Sequence, residues 1–264
     1  MKLLILGGTA DARHLATALH QAAPNLELIY SVAGLVRQPQ VSANVMSVVS
    51  GGFSQFGGLS HYCKDQQIDG ILNATHPFSI TMGEHAQKAC SKLRLKYWRF
   101  LRPLWQQTAG DDWRLFDTRT PLFKALSSYQ RVLLTLGQVS ADELALLPVD
   151  QKIWLRTAVA PSFDLPDQVN WIKAIGPFDE SLELDLLQQH HIQAIASKNS
   201  GGSSTQAKLV AARKLKLPVF MLQRPAYSGP VEESFDQLVE RLSQWANTSS
   251  RLGLKPTLKE RSHP

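Results

Sequence analysis

The chain opens on an apolar run, Leu3-Leu4-Ile5-Leu6, that stops at Gly7-Gly8-Thr9 and passes straight into a helical pattern. A short hydrophobic segment broken by two glycines reads as a parallel strand handing over to a helix whose free N–H groups hold a phosphate. The dinucleotide fingerprint asks for glycine at its first, third and sixth places. Those places hold Gly7, Thr9 and Ala12, so the match is loose. Three further runs carry the same punctuation. Leu28-Ile29-Tyr30-Ser31-Val32 ends in Ala33-Gly34, Val45-Met46-Ser47-Val48-Val49 in Ser50-Gly51-Gly52-Phe53, and Gly70-Ile71-Leu72-Asn73 in Ala74-Thr75-His76-Pro77-Phe78. In an open parallel sheet the strand carboxyl ends share one edge and ligands bind there. Four loops rich in Gly, Ser and Thr are therefore expected to converge on one crevice.

Helical patterns over residues 11–22, 56–66 and 80–92 alternate with these strands as far as a short strand, Lys96-Tyr97-Trp98-Arg99. Residues 100–119, with Arg102-Pro103-Leu104-Trp105 inside them, break the rhythm and read as a crossover. A second alternating series begins at Arg131-Val132-Leu133-Leu134-Thr135-Leu136-Gly137 and runs to a helix over 233–246. The expected fold class is α/β: two Rossmann-like parallel-sheet domains with a cleft between them. The boundaries read as an N-terminal dinucleotide-binding domain over 1–100, a crossover over 101–130, a C-terminal domain over 131–247 and a disordered tail over 248–264.

Composition excludes several classes. Of a net charge of +6, half lies in the tail, where Arg251, Lys255, Lys259 and Arg261 face only Glu260. The remaining excess is too small to mark a nucleic-acid surface. No apolar stretch approaches the ~20 residues needed to span a bilayer, and the N-terminus lacks a leader's layout. A cytoplasmic chain is the simplest expectation, with Cys63 and Cys90 as unrelated reduced thiols, since they have no CxxC spacing.

No tyrosine has a lysine four places on, which excludes the Tyr-x-x-x-Lys dehydrogenases. No Asp or Glu ends the second strand to take ribose hydroxyls. Arg37, in the loop that follows, is either a 2′-phosphate contact or a solvated charge. Asp11 stabilises the helix start, ~0.3–1 kcal/mol, while Gly7, Gly8 and Thr9 with Ser31, Gly51, Gly52 and Thr75 form the expected cofactor crevice. His76 is the chemical candidate in that crevice, held at a strand tip by Pro77. Lys198-Asn199-Ser200-Gly201-Gly202-Ser203 is a second anion-friendly turn, with a lysine charge beside free N–H groups. His190-His191 closes a helix, and the other histidines have no ligand spacing, so no metal bound by side chains is expected. No Gly-x-Ser-x-Gly elbow supplies an acyl-transfer nucleophile.

Together these segments resemble the precorrin-6A reductase family, including cobalt-precorrin-6A reductases, of corrin-ring (cobalamin) biosynthesis. The resemblance is carried by Leu4-Ile5-Leu6-Gly7-Gly8-Thr9 with Asp11-Ala12-Arg13, by Ser31-Val32-Ala33-Gly34, by Gly51-Gly52-Phe53 with Gly57-Gly58-Leu59, and by Ala74-Thr75-His76-Pro77-Phe78. The second half adds Arg102-Pro103-x-Trp105, Gly176-Pro177-Phe178, Lys198-Asn199-Ser200-Gly201-Gly202, Ala211-Ala212-Arg213, Leu217-Pro218-Val219 and Arg224-Pro225. Two departures stand out: Leu35 follows the Ala-Gly pair where many members have arginine, and Ser54-Gln55-Phe56 replaces further glycines.

The resemblance implies an oxidoreductase in which a nicotinamide, NADPH or NADH, reduces the C18–C19 double bond of precorrin-6A or its cobalt form. Lys198, Ser200 and Gly201 are then the expected contacts to the tetrapyrrole, with His76 or a bound water as proton donor. The alternatives are a nicotinamide-dependent reductase of another acidic substrate and a nonenzymatic nucleotide sensor. The sequence leaves the oligomeric state open.

Overall fold

The computed structural model describes residues 1–32 and 46–252, the last four as backbone only. Two compact units emerge, one formed by residues up to 101 together with the segment from 229, the other by residues 102–228.

The first unit is built on five parallel strands, β1 (Lys2–Leu6), β2 (Glu27–Val32), β3 (Ser47–Ser50), β4 (Gly70–Asn73) and β5 (Lys96–Arg99), in the order β3-β2-β1-β4-β5. The apolar run of β1 is continuous because both faces are covered. Leu3 and Ile5 pack with helices α1 (Ala10–Ala22) and α8 (Phe235–Leu252), while Leu4 and Leu6 pack with α2 (Leu59–Asp65) and α3 (Ile80–Leu93). Thr9 starts α1: its backbone is extended and its Oγ1 accepts from the Ala12 N–H at 3.0 Å. The single helix expected over 56–66 is instead a 3₁₀ turn (Phe53–Phe56) and α2, separated by Gly57 and Gly58 with φ of +73° and +101°. Two consecutive residues with positive φ cannot belong to a right-handed helix. Cys63 and Cys90 are buried free thiols in one core cluster, and burial pushes both up to about 12.

The second unit holds six parallel strands in the order β6-β11-β10-β7-β8-β9. They are β6 (Asp112–Phe116), β7 (Arg131–Thr135), β8 (Lys152–Thr157), β9 (Val169–Lys173), β10 (Ala194–Lys198) and β11 (Pro218–Leu222). Helices α4 (Arg119–Leu126), α5 (Ala141–Leu144), α6 (Glu180–Gln189) and α7 (Ala207–Lys214) complete it.

Two boundaries differ from the sequence expectation. The stretch assigned to a crossover contains β6, which pairs in parallel with β11, and α4, which buries Leu122, Phe123 and Leu126. β6 is an edge strand of mixed polarity, so it lacks the apolar signature of the central strands. Helix α8 was expected to belong to the C-terminal domain but joins the first unit. Its stripe Leu238, Leu242 and Ala246 packs with α1 residues Leu15 and Leu19, and Trp245 meets Trp98 at 4.8 Å. The tail expected to be disordered over 248–264 begins inside α8, which continues to Leu252, and residues 253–264 lie outside the described residues.

Candidate functional site

In the first sheet the strand order reverses between β1 and β4, which opens a crevice at their carboxyl ends. A pocket of about 220 Å³ occupies this position. Gly7, Gly8, Ser31, Gly51, Gly52, Thr75 and His76 all line it, joined by Phe53, Ser79 and Met82. The carboxyl end of β2 and the loops after β1, β3 and β4 thus bring the expected crevice residues to one place. Thr9 is the exception, because its hydroxyl is committed to the structure: it caps α1 and donates to the Ala74 carbonyl at 2.9 Å. Arg37 lies outside the described residues.

Tyr30 shapes the glycine turn, a role that the sequence reading missed. Its ring is fully buried against Gly7, where a Cβ would come within 2.2 Å of Cζ. Its hydroxyl accepts from the Gly8 N–H at 3.2 Å, and burial pushes its pKa upward. Gly8 has a φ of +100° and open space where a side chain would stand. Among the described residues the N–H groups of Thr9 and Ala10 have no acceptor, as expected of a helix start. Since Gly8 donates to Tyr30, Thr9 and Ala10 hold the open N–H groups beside this turn.

A second network fixes the loop after β4. Asn73 is wholly buried, and its Oδ1 accepts from the Thr75 N–H, the Thr75 hydroxyl and Arg99 Nη1 at 3.2, 2.8 and 2.9 Å. Its amide donates to the Tyr97 hydroxyl. Buried Arg99 also donates to the carbonyls of Asn73, Thr75 and His76. The main chain of this loop is thereby turned toward the guanidinium, leaving Thr75 and His76 side chains at the pocket wall. The Phe78 N–H donates to His76 Nδ1 at 3.2 Å, so the neutral ring carries its proton on Nε2.

In the second sheet the order reverses between β7 and β10. Lys198, the last residue of β10, brings its Nζ within 3.3 Å of where a Cβ on Gly137 would stand, just beyond β7. Burial, and then the charge of Arg119, lower the Lys198 pKa to about 8 against the opposing pull of Glu143. Arg119 and Glu143 form an ion pair of their own. Ser200 and Gly201 are buried next to Lys198 on the 198–202 turn, so the three expected substrate contacts share one structural element.

The second unit also holds a charged core. Arg156 on β8 and Glu183 on α6 form a salt bridge at 2.5 Å with both side chains buried, and the guanidinium stacks over Phe178 at 4.1 Å. Lys208 on α7 is 4% exposed, donates to the Thr205 carbonyl at 2.7 Å and sits over the Trp105 ring at 4.9 Å. Burial first, then Arg156, depress its pKa to about 7.

Comparison with known proteins places the chain in a family. The family model described as precorrin-6x reductase CbiJ/CobK matches residues 2–246. A protein of Rhodococcus erythropolis named precorrin-6A reductase is 33% identical over 253 residues, which is 95% of this chain and 99% of that one. A Priestia megaterium protein named cobalt-precorrin-6A reductase is 25% identical over 257 residues, covering 91% and 97% of the two chains. A solved structure named CobK precorrin-6A reductase superposes with a TM-score of 0.82 at 30% identity, covering 92% of this chain and 96% of that one.

Proposed function

The chain belongs to the precorrin-6x reductase family of cobalamin biosynthesis, and from that premise we propose that it is a nicotinamide-dependent reductase of precorrin-6A. The observation that carries this reading is the pocket at the first switch point, where the end of β2 and the loops after β1, β3 and β4 meet. The site fits a nicotinamide dinucleotide: Gly8 leaves open space at the turn, and Thr9 and Ala10 offer N–H donors to a pyrophosphate. When bound, the cofactor supplies a hydride to the acceptor carbon of the macrocycle.

The remaining work falls to groups that orient the two ligands. Gly51, Gly52 and Ser31 border the pocket and give a ligand close backbone approach. Thr75 and His76 stand at the wall that Arg99 and Asn73 hold in place. With the Phe78 N–H on Nδ1, the neutral His76 ring carries its proton on Nε2 and acts as a hydrogen-bond donor that orients a ligand, while the proton for the macrocycle comes from water. His76→Ala should therefore lower turnover or cofactor affinity by roughly tenfold, the range expected when one hydrogen bond to a ligand is lost. Unchanged steady-state constants for both ligands would remove His76 from the site.

NADPH is the proposed cofactor, since β2 ends in Ser31-Val32 without the carboxylate that a ribose 2′-hydroxyl commonly meets. Titration with NADPH and NADH tests this choice, and equal affinities would contradict it. The metal-free macrocycle is the proposed substrate, supported by the 33% identity to the Rhodococcus erythropolis precorrin-6A reductase against 25% to the cobalt-precorrin-6A reductase. Comparing kcat/KM for the two macrocycles decides the matter, with the cobalt form expected to be the poorer.

The 198–202 turn is the proposed anchor for the carboxylates of the substrate, with Lys198 as the charge. A lysine that titrates near 8 is cationic below that pH and neutral above it. The KM for the macrocycle should therefore climb several-fold from pH 7 to pH 9.5, with a midpoint near 8, as roughly one favourable charge is lost. Lys198→Ala should abolish that dependence. A flat pH profile in the unsubstituted protein would exclude Lys198 from binding.

A further inference from the structure

Two arginines, each followed by proline, converge on one carbonyl of the second unit. Arg102 Nε donates to the Ser200 oxygen at 2.8 Å, and Arg224 Nη2 donates to the same oxygen at 3.0 Å. Arg224 Nη1 also donates to the Arg102 carbonyl at 2.9 Å, so the two residues are locked to each other as well as to the turn. Pro103 and Pro225 bias the arginines before them toward extended backbone, which holds each at the end of a stiff arm.

The fit leaves the turn no freedom. A Cβ on Gly201 would come within 2.0 Å of the Pro103 carbonyl oxygen, and one on Gly202 within 2.8 Å of the Arg102 side chain. The Asn199 side chain accepts from the Trp105 N–H and donates to the Trp105 carbonyl, while Trp105 Nε1 donates to the Gly202 carbonyl at 2.9 Å. In a trans peptide the N–H points opposite to the C=O. Drawing the Ser200 and Gly202 oxygens onto Arg102, Arg224 and Trp105 therefore turns the Gly201 and Ser203 N–H groups the other way. Among the described residues neither N–H has an acceptor.

We infer that Arg102 and Arg224 are paired positioning residues, which set the orientation of the 198–202 turn and so its capacity to hold a carboxylate of the macrocycle. The inference rests on the reading of that turn as the substrate anchor. Charge alone does not account for the arrangement, because Arg224 uses two nitrogens of its planar fork on two different carbonyls. A lysine in its place keeps the charge but makes only one of those bonds reliably.

The test is a double-substitution cycle with Arg102→Lys and Arg224→Lys, read as kcat and KM for precorrin-6A at saturating NADPH, with Lys198→Ala alongside. Each arginine substitution should raise KM by roughly five- to tenfold with kcat within about twofold, the signature of lost substrate binding rather than lost chemistry. The double variant should fall well short of the product of the two effects, since both residues act through one carbonyl. Thermal unfolding and NADPH affinity serve as the fold control, and Arg224→Gln replaces any lysine variant that fails it. KM unchanged in both lysine variants while Lys198→Ala raises it would overturn the positioning role and keep the anchor. KM raised by Arg224→Gln but not by Arg224→Lys would reduce the arginine to its charge and also overturn it. KM unmoved by Lys198→Ala would remove the anchor itself, and the inference with it.

Discussion

Gly7→Ala is expected to weaken nicotinamide binding by roughly tenfold or more and to cost about 1–3 kcal/mol of stability, the usual range for forcing a methyl into filled space. The new Cβ would stand 2.2 Å from Tyr30 Cζ and 2.4 Å from its hydroxyl oxygen. The obstacle is a rigid ring in the core cluster of the first sheet rather than the tip of a flexible chain. Moving that ring takes its hydroxyl from the Gly8 N–H, so the damage reaches the turn that faces the cofactor. Gly8→Ala makes the natural comparison. Its Cβ meets nothing within 4 Å, yet its φ is +100°, so it incurs only backbone strain of about 1–2 kcal/mol. NADPH titration together with chemical unfolding checks both, and a Gly7→Ala protein that binds and unfolds like the parent would contradict the packing described.

The second large effect is Glu183→Gln, which should destabilise the second unit by about 3–5 kcal/mol, as is typical when one partner of a buried ion pair is removed. Arg156 would keep its charge at 6% side-chain exposure, stacked on Phe178 but without its counterion. Lys208 makes this core sensitive to pH. Its folded ammonium titrates near 7, well below the ordinary 10.5, because burial and Arg156 disfavour the charge. The unfolded chain therefore binds the extra proton between those values, and stability contributed by this site rises with pH across that window. Glu183→Gln removes the one carboxylate that opposes the depression, so the rise should start at lower pH. Calorimetry on the whole protein measures both effects, and an unfolding transition unchanged by the substitution would argue against a buried pair that matters.

The first sheet and its pocket were legible because the strand ends carry their own punctuation. Gly7-Gly8, Gly51-Gly52 and Thr75-His76 each follow an apolar run, and parallel topology brings the ends of such runs to one edge. What the sequence hid depends on contacts far apart in the chain. Tyr30 reads as an ordinary strand residue until its ring is found beneath Gly7. Arg99 ends a strand and looks like a surface charge, yet it is 3% exposed and binds three carbonyls. The Thr9 hydroxyl is consumed as a cap, because a threonine before a helix serves that purpose first, which leaves only its N–H for a ligand. The Arg-Pro pairs at 102 and 224 were visible as motifs. Their convergence on Ser200 was not, because 122 residues separate them.

The most direct measurement is anaerobic absorbance spectroscopy of the purified protein with precorrin-6A and NADPH, following the reduced nicotinamide and the macrocycle together. The account predicts that both signals change at the same rate and in equal amounts, with both dependent on the protein. Tight NADPH binding with no change in the macrocycle, metal-free or cobalt-containing, would contradict it and leave a nucleotide sensor or a reductase of another acidic substrate.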